Sequence, residues 1–351
     1  MAVPSTASEQ LVRAQAKPLI GGRGFDIVYA TVATVFVTGT YLDSWAHNHF
    51  RLETFWTPWH GVLYSGVALV LFLLLGVTAI NRMRGAGSWF EAIPFGYSAS
   101  LLGIVGMALD GGLDATWHTL FGIEQNIDAL FSPTHLLAMI CTALVALGPL
   151  RAMYLRRNNP AGFAGHVALT LAFSLFLLML SNFTQPTHPF ILSDIPMKAG
   201  SGQDTPQLLA VVSYIFQMAL FTGCALYVIR RWKLQFGFFT IVLGLVSVAL
   251  MFMHDFYLAL PMGVISGLLI DTAYLFLRPA LERPLSFRLF AAILMGTLPA
   301  VLLIGLRITS GPLAWTIHMV AGSVFACAVF GWVLTYLMLP GQTNQREPET
   351  M

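Results

Sequence analysis

Asp114-Ala-Thr-Trp-His118, followed by Ser132-Pro-Thr-His135, is the stretch on which the reading of this chain turns. It closes one apolar segment with a carboxylate and an imidazole four residues apart, and it opens the next with a second imidazole two residues after a proline. Four apart on a helix means neighbours on one face. The arrangement also stands upstream, as Asp43-Ser-Trp-Ala-His47 and Thr57-Pro-Trp-His60. Thr57-Pro58 and Ser132-Pro133 are helix-start signals: a hydroxyl residue caps and proline takes the first helical position. His60 and His135 then fall in a first turn, where the helix dipole disfavours a charged imidazole. The neutral imidazole is the form that a metal binds. A carboxylate and two imidazoles converging at the mouth of a helical hairpin read as a metal site. The residues are Asp43, His47 and His60 in one copy and Asp114, His118 and His135 in the other.

Working outward, the segments around these motifs are far more apolar than a soluble domain allows. Of 351 residues, 57% are hydrophobic and 10% charged, against roughly a quarter charged in an ordinary globular protein. The predicted fold class is all-α, a polytopic integral membrane helical bundle whose main partner is the lipid bilayer. A formal net charge of +2 gives no argument for nucleic acid, and none is expected as a partner. Cys141, Cys224 and Cys327 all lie inside apolar segments and read as small buried residues, neither a disulfide framework nor a thiolate site.

Crossing a bilayer takes about 20 apolar residues. Stretches of that kind fall near 25–42, 57–80, 93–111, 132–154, 163–183, 205–229, 235–256, 258–280, 287–308 and 313–339. The seventh and eighth abut closely and also fit a re-entrant unit. Domain organisation follows: a polar, mildly basic cytoplasmic tail over 1–24, without a signal peptide's apolar core and cleavage site, a transmembrane domain over 25–340 and a cytoplasmic tail over 341–351. Fifteen of the eighteen Lys and Arg residues sit in the tails and in the connections after even-numbered segments, leaving Arg51, Lys198 and Arg307 on the other side. The positive-inside rule then puts both termini in the cytoplasm, as expected for a multi-pass plasma-membrane protein. The opposite face collects Asp43, Glu53, Asp110, Asp114, Glu124, Asp128, Asp194, Asp204 and eight of the nine histidines.

About ten helices therefore group as five outward-opening hairpins. The first two, 25–80 and 93–154, read as an internal repeat, and later hairpins keep fragments of it. The third has His188, the fourth His254-Asp255 and then Pro261, and the fifth Pro312 and then His318. A lone histidine at a membrane boundary, such as His49, His188 or His318, reads first as a boundary residue. His254 and His188 are the weaker metal candidates, His254 with Asp255 beside it and His188 with Asn182 and Gln185 nearby. Each also fits a buried structural role. Asp271 lies deep in the eighth segment, and an intramembrane carboxylate is a functional hypothesis by default: a proton-transfer group, or one hydrogen-bonded to a neighbouring helix. Trp45, Trp56, Trp59 and Trp117 fit an interfacial belt that shields the hairpin mouths from water. For the two motif copies, the structural alternative is an aspartate holding an imidazole against the loop.

The two motifs resemble the copper-site segment of the C subunit of particulate methane and ammonia monooxygenases. That family carries an Asp-x-Thr-Trp-His stretch and then a Thr-Pro-Ser-His helix start; here the match is Asp114-Ala-Thr-Trp-His118 and Ser132-Pro-Thr-His135. Asp43, His47 and His60 keep the family's spacing, whereas the second copy has four more residues between its histidines. The likeness covers about 100 residues of the N-terminal half. It implies copper at both triads, with Asp43, His47, His60, Asp114, His118 and His135 as ligands. The family's further asparagine and histidine ligands have only His188 and His254 as candidate counterparts.

The function this favours is a copper-dependent membrane monooxygenase-like oxidoreductase, or its metal-bearing subunit, acting on a small apolar substrate and working with other membrane subunits. The donor set alone also suits zinc or iron. Two alternatives belong to other classes. Repeated hairpins with carboxylate–histidine clusters and Asp271 farther in also describe a metal-ion or proton-coupled transporter. Pairs among His60, His135, His254 and His318 fit haem ligation in a membrane electron-transfer protein.

Overall fold

The computed structural model describes residues 19–50, 54, 56–124, 127–156, 160 and 162–339. Residues 1–18 of the predicted N-terminal tail and all of the C-terminal tail lie outside the described residues. Every regular element among the described residues is helical, as the all-α reading requires.

The chain falls into two compact units, one running to Phe183 and taking in Phe252–His254, the other holding Thr184–Met251 and the chain from Asp255. The first unit contains α1 (Arg23–His49), α2 (Pro58–Met83), α3 (Trp89–Ala92), α4 (Ser98–Phe121), α5 (Asp128–Phe131), α6 (Pro133–Ala146), α7 (Gly148–Leu155) and α8 (Gly162–Phe183). After a 3₁₀ turn at Gln185–Thr187 come α9 (Asp194–Lys198), α10 (Asp204–Ile229), α11 (Phe238–His254), α12 (Ala259–Leu277), α13 (Pro284–Thr309) and α14 (Ile317–Met338).

Among the described residues, seven helices, α1, α2, α8, α10, α12, α13 and α14, are long and apolar enough to cross a membrane; α6 and α7, bent by 44° to each other, make an eighth if taken as one span. This is a multi-pass membrane protein. Each of the ten predicted stretches carries helix, but α4 and α11 do not qualify as spans. Asp110 and Asp114 dilute the apolar character of α4, and α11 has 17 residues, roughly 25 Å at 1.5 Å per residue, against a hydrocarbon core of about 30 Å. The surface has the inverted character of a membrane protein. Phe72, Leu109, Phe276 and Leu337 are exposed while Asp26, Asp110, Asp114, His60 and His118 are buried.

Close backbone approach sets the register of the first hairpin. A Cβ on Gly66 would lie 2.4 Å from Phe36 Cα, and one on Gly39 would lie 2.5 Å from Leu63 Cα, so α1 and α2 touch where only glycine fits. Asp43 stands one turn beyond Gly39 and His60 one turn before Leu63, so the antiparallel pairing brings them level. In the second hairpin, Gly103 and Gly106 of α4 pack on Cys141 of α6, and Tyr64 of α2 lies against Gly111 of α4, joining the two hairpins. At the other end, Asp26 accepts from the Tyr97 hydroxyl at 2.7 Å and is paired with Arg156.

In the second unit, Gly263 and Gly267 of α12 meet Ser247 and Thr240 of α11. Helix α13 packs on α12 and α14, and α10 packs on α13 and α14.

Candidate metal centre

Both motif copies are built the same way. Thr57 and Ser132, each in extended backbone, cap α2 and α6, and their hydroxyls accept from the backbone N–H of His60 and His135 at 3.3 Å. Pro58 and Pro133 take the first helical position. The second histidine of each motif is thus fixed in a first turn, as its spacing predicts. Asp43 and His47 sit in the last two turns of α1, and Asp114 and His118 in the last two turns of α4.

These placements bring together two groups: Asp43, His47 and His60, and Asp114, His118 and His135. In each, one donor atom per residue lies within 4.8 Å of the others. In the first, Asp43 Oδ1 is 3.0 Å from His60 Nε2. In the second, Asp114 reaches His118 Nε2 with Oδ2 at 3.3 Å and His135 Nε2 with Oδ1 at 3.6 Å.

The hydrogen bonding inside these groups is incomplete in an informative way. Asp43 Oδ1, Asp114 Oδ1 and His47 Nε2 are buried without a hydrogen-bond partner among the described residues. Leaving such buried acceptors unmet costs about 1–3 kcal/mol each. A cation meets that demand. Metal–ligand bonds of about 2.0–2.2 Å to imidazole and carboxylate span donors roughly 4 Å apart, so small side-chain shifts close either group on an ion. The donor set therefore fits a d-block ion at each triad.

The outer partners orient the rings. His135 Nδ1 donates to the Ala129 carbonyl, which turns Nε2 toward Asp114. His118 Nδ1 lies 3.0 Å from Glu124 Oε2 and 3.5 Å from the Gly122 carbonyl. A proton on that nitrogen leaves Nε2 facing Asp114. This is the support that metal-binding imidazoles need from their second nitrogen. The hydrogen bond to Asp114, with the charges of Asp114 and Glu124, raises the His118 pKa against the opposing effect of burial. Burial pushes Asp114 up, but the hydrogen bonds from His118 and Thr134 and the nearby His135 hold it below the ordinary carboxylate range.

The remaining predicted residues belong to neither triad among the described residues. His188 accepts the Phe190 N–H at 3.2 Å and belongs to the second unit. His254 ends α11; neither it nor His188 belongs to a triad among the described residues. Asp271 accepts from the backbone N–H groups of Phe239 and Thr240 at 3.1 and 2.9 Å, and from the Thr240 hydroxyl at 2.6 Å. It ties α12 to the first turn of α11, the helix-to-helix bond that was one of its two sequence readings. Of the tryptophans, Trp45 and Trp59 pack edge to face at 5.8 Å beside the first triad, Trp117 packs on Phe121, and Trp56 is exposed.

Sequence reasoning did not single out three groups. Tyr64 lies one turn after His60, its ring 5.9 Å from that imidazole, and i+4 spacing was the cue available. Glu124 sits in the connection after α4, where no periodicity marks it. The Ala129 carbonyl carries no side-chain signal at all.

In comparisons with known proteins, no family model, no curated protein and no solved structure matches this chain.

Proposed function

We propose that this chain is the metal-bearing component of a copper-dependent membrane oxidoreductase of the monooxygenase type, acting on a small apolar substrate. The observation that carries the reading is the pair of Asp–His–His triads, each with its donor atoms within 4.8 Å and with buried lone pairs left unmet. Copper rather than zinc or iron comes from the motif's resemblance, since the donors accept all three. A copper ion held there supplies one-electron redox chemistry with dioxygen as oxidant. Hydroxylation would consume one dioxygen, two electrons and two protons per alcohol and water formed, with the electrons drawn from a partner membrane subunit.

The chain's own residues have distinct tasks in this reading. Asp43 and Asp114 supply the anionic ligand of each triad, and the four histidines supply neutral donors. Ala129 and Glu124 hold the rings of His135 and His118. The positive-inside count supports triads at the outer face of the plasma membrane with both termini in the cytoplasm, an arrangement of five hairpins that requires α4 and α11 to cross as well. A site at that depth meets apolar substrates that partition from lipid. The three hydrogen bonds on Asp271 weigh against a proton route through α12, and so against the transporter reading.

Elemental analysis of the protein purified from membranes, together with its optical spectrum, tests the assignment. Copper without a Soret band is the expected result. A Soret band would support haem, zinc or iron in copper's place would remove the copper assignment, and a metal-free protein would remove the metal reading altogether.

A further inference from the structure

The two triads are not separate in space. The His47 ring of the first lies 6.0 Å, centroid to centroid, from the His135 ring of the second, and His135 lies 5.8 Å from His118. Tyr64 joins them from another side. It stands one turn from His60, its ring centroid 5.9 Å from that imidazole, and it fills the space over Gly111 of α4, where a Cβ would meet Cε1 at 2.7 Å.

We propose that the two triads form a single two-cation centre, in which His47 and His135 pack against each other between the ions and Tyr64 stands where the two hairpins meet. This rests on the metal reading above and goes beyond it by making the two motif copies one chamber. Metal–nitrogen bonds of about 2 Å, added to rings 6.0 Å apart, keep the two ions within roughly 12 Å of each other. Charge points the same way. Asp43, Asp110, Asp114 and Glu124 are four carboxyl groups in this region, and each has a buried oxygen without a hydrogen-bond partner among the described residues. One divalent ion leaves most of that demand unmet, whereas two meet it. The register set by Gly39 and Gly66, and the Tyr64–Gly111 contact between hairpins, give the pair a fixed spacing.

The test is titration of cupric ion alone into the detergent-solubilised full chain, stripped beforehand with chelator and followed by electron paramagnetic resonance. The expected result is two equivalents bound per chain, with dipolar broadening and a half-field transition at saturation. His60→Ala and His135→Ala, each retaining one equivalent, should give the sharp lines of an isolated ion. The wild-type spectrum alone decides if either variant fails to fold. Two equivalents without broadening, or saturation at one, would overturn the paired centre while leaving a metal protein. No binding at all would overturn the proposed function with it.

Discussion

Asp114 and Asp271 are both buried carboxylates on apolar helices, and their surroundings could hardly differ more. Asp271 has three donors on its two oxygens, all from the first turn of α11. Asp114 is held by His118 and Thr134, with imidazole nitrogens at 3.3 and 3.6 Å, yet its Oδ1 is without a hydrogen-bond partner among the described residues. The first carboxylate is used up by the fold; the second is held ready for something the polypeptide does not supply. An intramembrane acid is thus a functional group only when its oxygens are left over, and a count of its donors separates the two cases.

The largest expected effect breaks the comparison from the structural side. Asp271→Ala removes a charged acceptor from three donors, each such bond being worth about 1.5–3 kcal/mol, so the thermal unfolding midpoint should fall further than for any other variant here. Metal bound per folded chain should not change, and a loss of metal with an unmoved midpoint would reverse the assignment of the two acids. Asp114→Ala should do the opposite: the midpoint of the metal-free protein should shift little, while affinity at the second triad drops by more than the roughly 10–100-fold that outer-partner losses cost. Calorimetric titration reads both quantities.

Glu124→Gln probes the layer outside. It keeps the shape but removes the charge beside His118 Nδ1, and roughly 10–100-fold weaker metal binding is expected at that triad alone. Unaltered affinity would make Glu124 a bystander. The smallest effect belongs to the caps. Thr57→Ala and Ser132→Ala each cost about 1 kcal/mol of stability, with a modest loosening of His60 or His135, and equal losses in the two would show that the copies are built alike.

Much of this was legible in the sequence because it depends on local rules. Thr57-Pro58 and Ser132-Pro133 announce helix starts, and i+4 spacing puts Asp43 beside His47 and Asp114 beside His118. Apolar length gives the multi-pass bundle. What lay out of reach depends on packing between segments distant in the chain. Nothing in a hydropathy profile says that Gly39 and Gly66 let α1 and α2 touch, or that His47 and His135, 88 residues apart, bring their rings within 6.0 Å. Of the ten apolar stretches, α4 and α11 fall short of a span by length and composition, because α4 carries two acids and α11 has 17 residues, and apolar runs in the sequence do not separate them from the rest. Asp271 was ambiguous for a related reason: a carboxylate's donors come from another helix, and its own neighbours in sequence do not reveal them.

The central claim is that unmet lone pairs at the two triads mark metal ligands. Copper content by mass spectrometry, compared across the wild type, the His60→Ala/His135→Ala double variant and Asp271→Asn, tests it most directly. Copper in the wild type, retained per folded chain in Asp271→Asn and lost from the double variant, is the predicted result. Equal copper in the wild type and the double variant, or loss from Asp271→Asn alone, would contradict it.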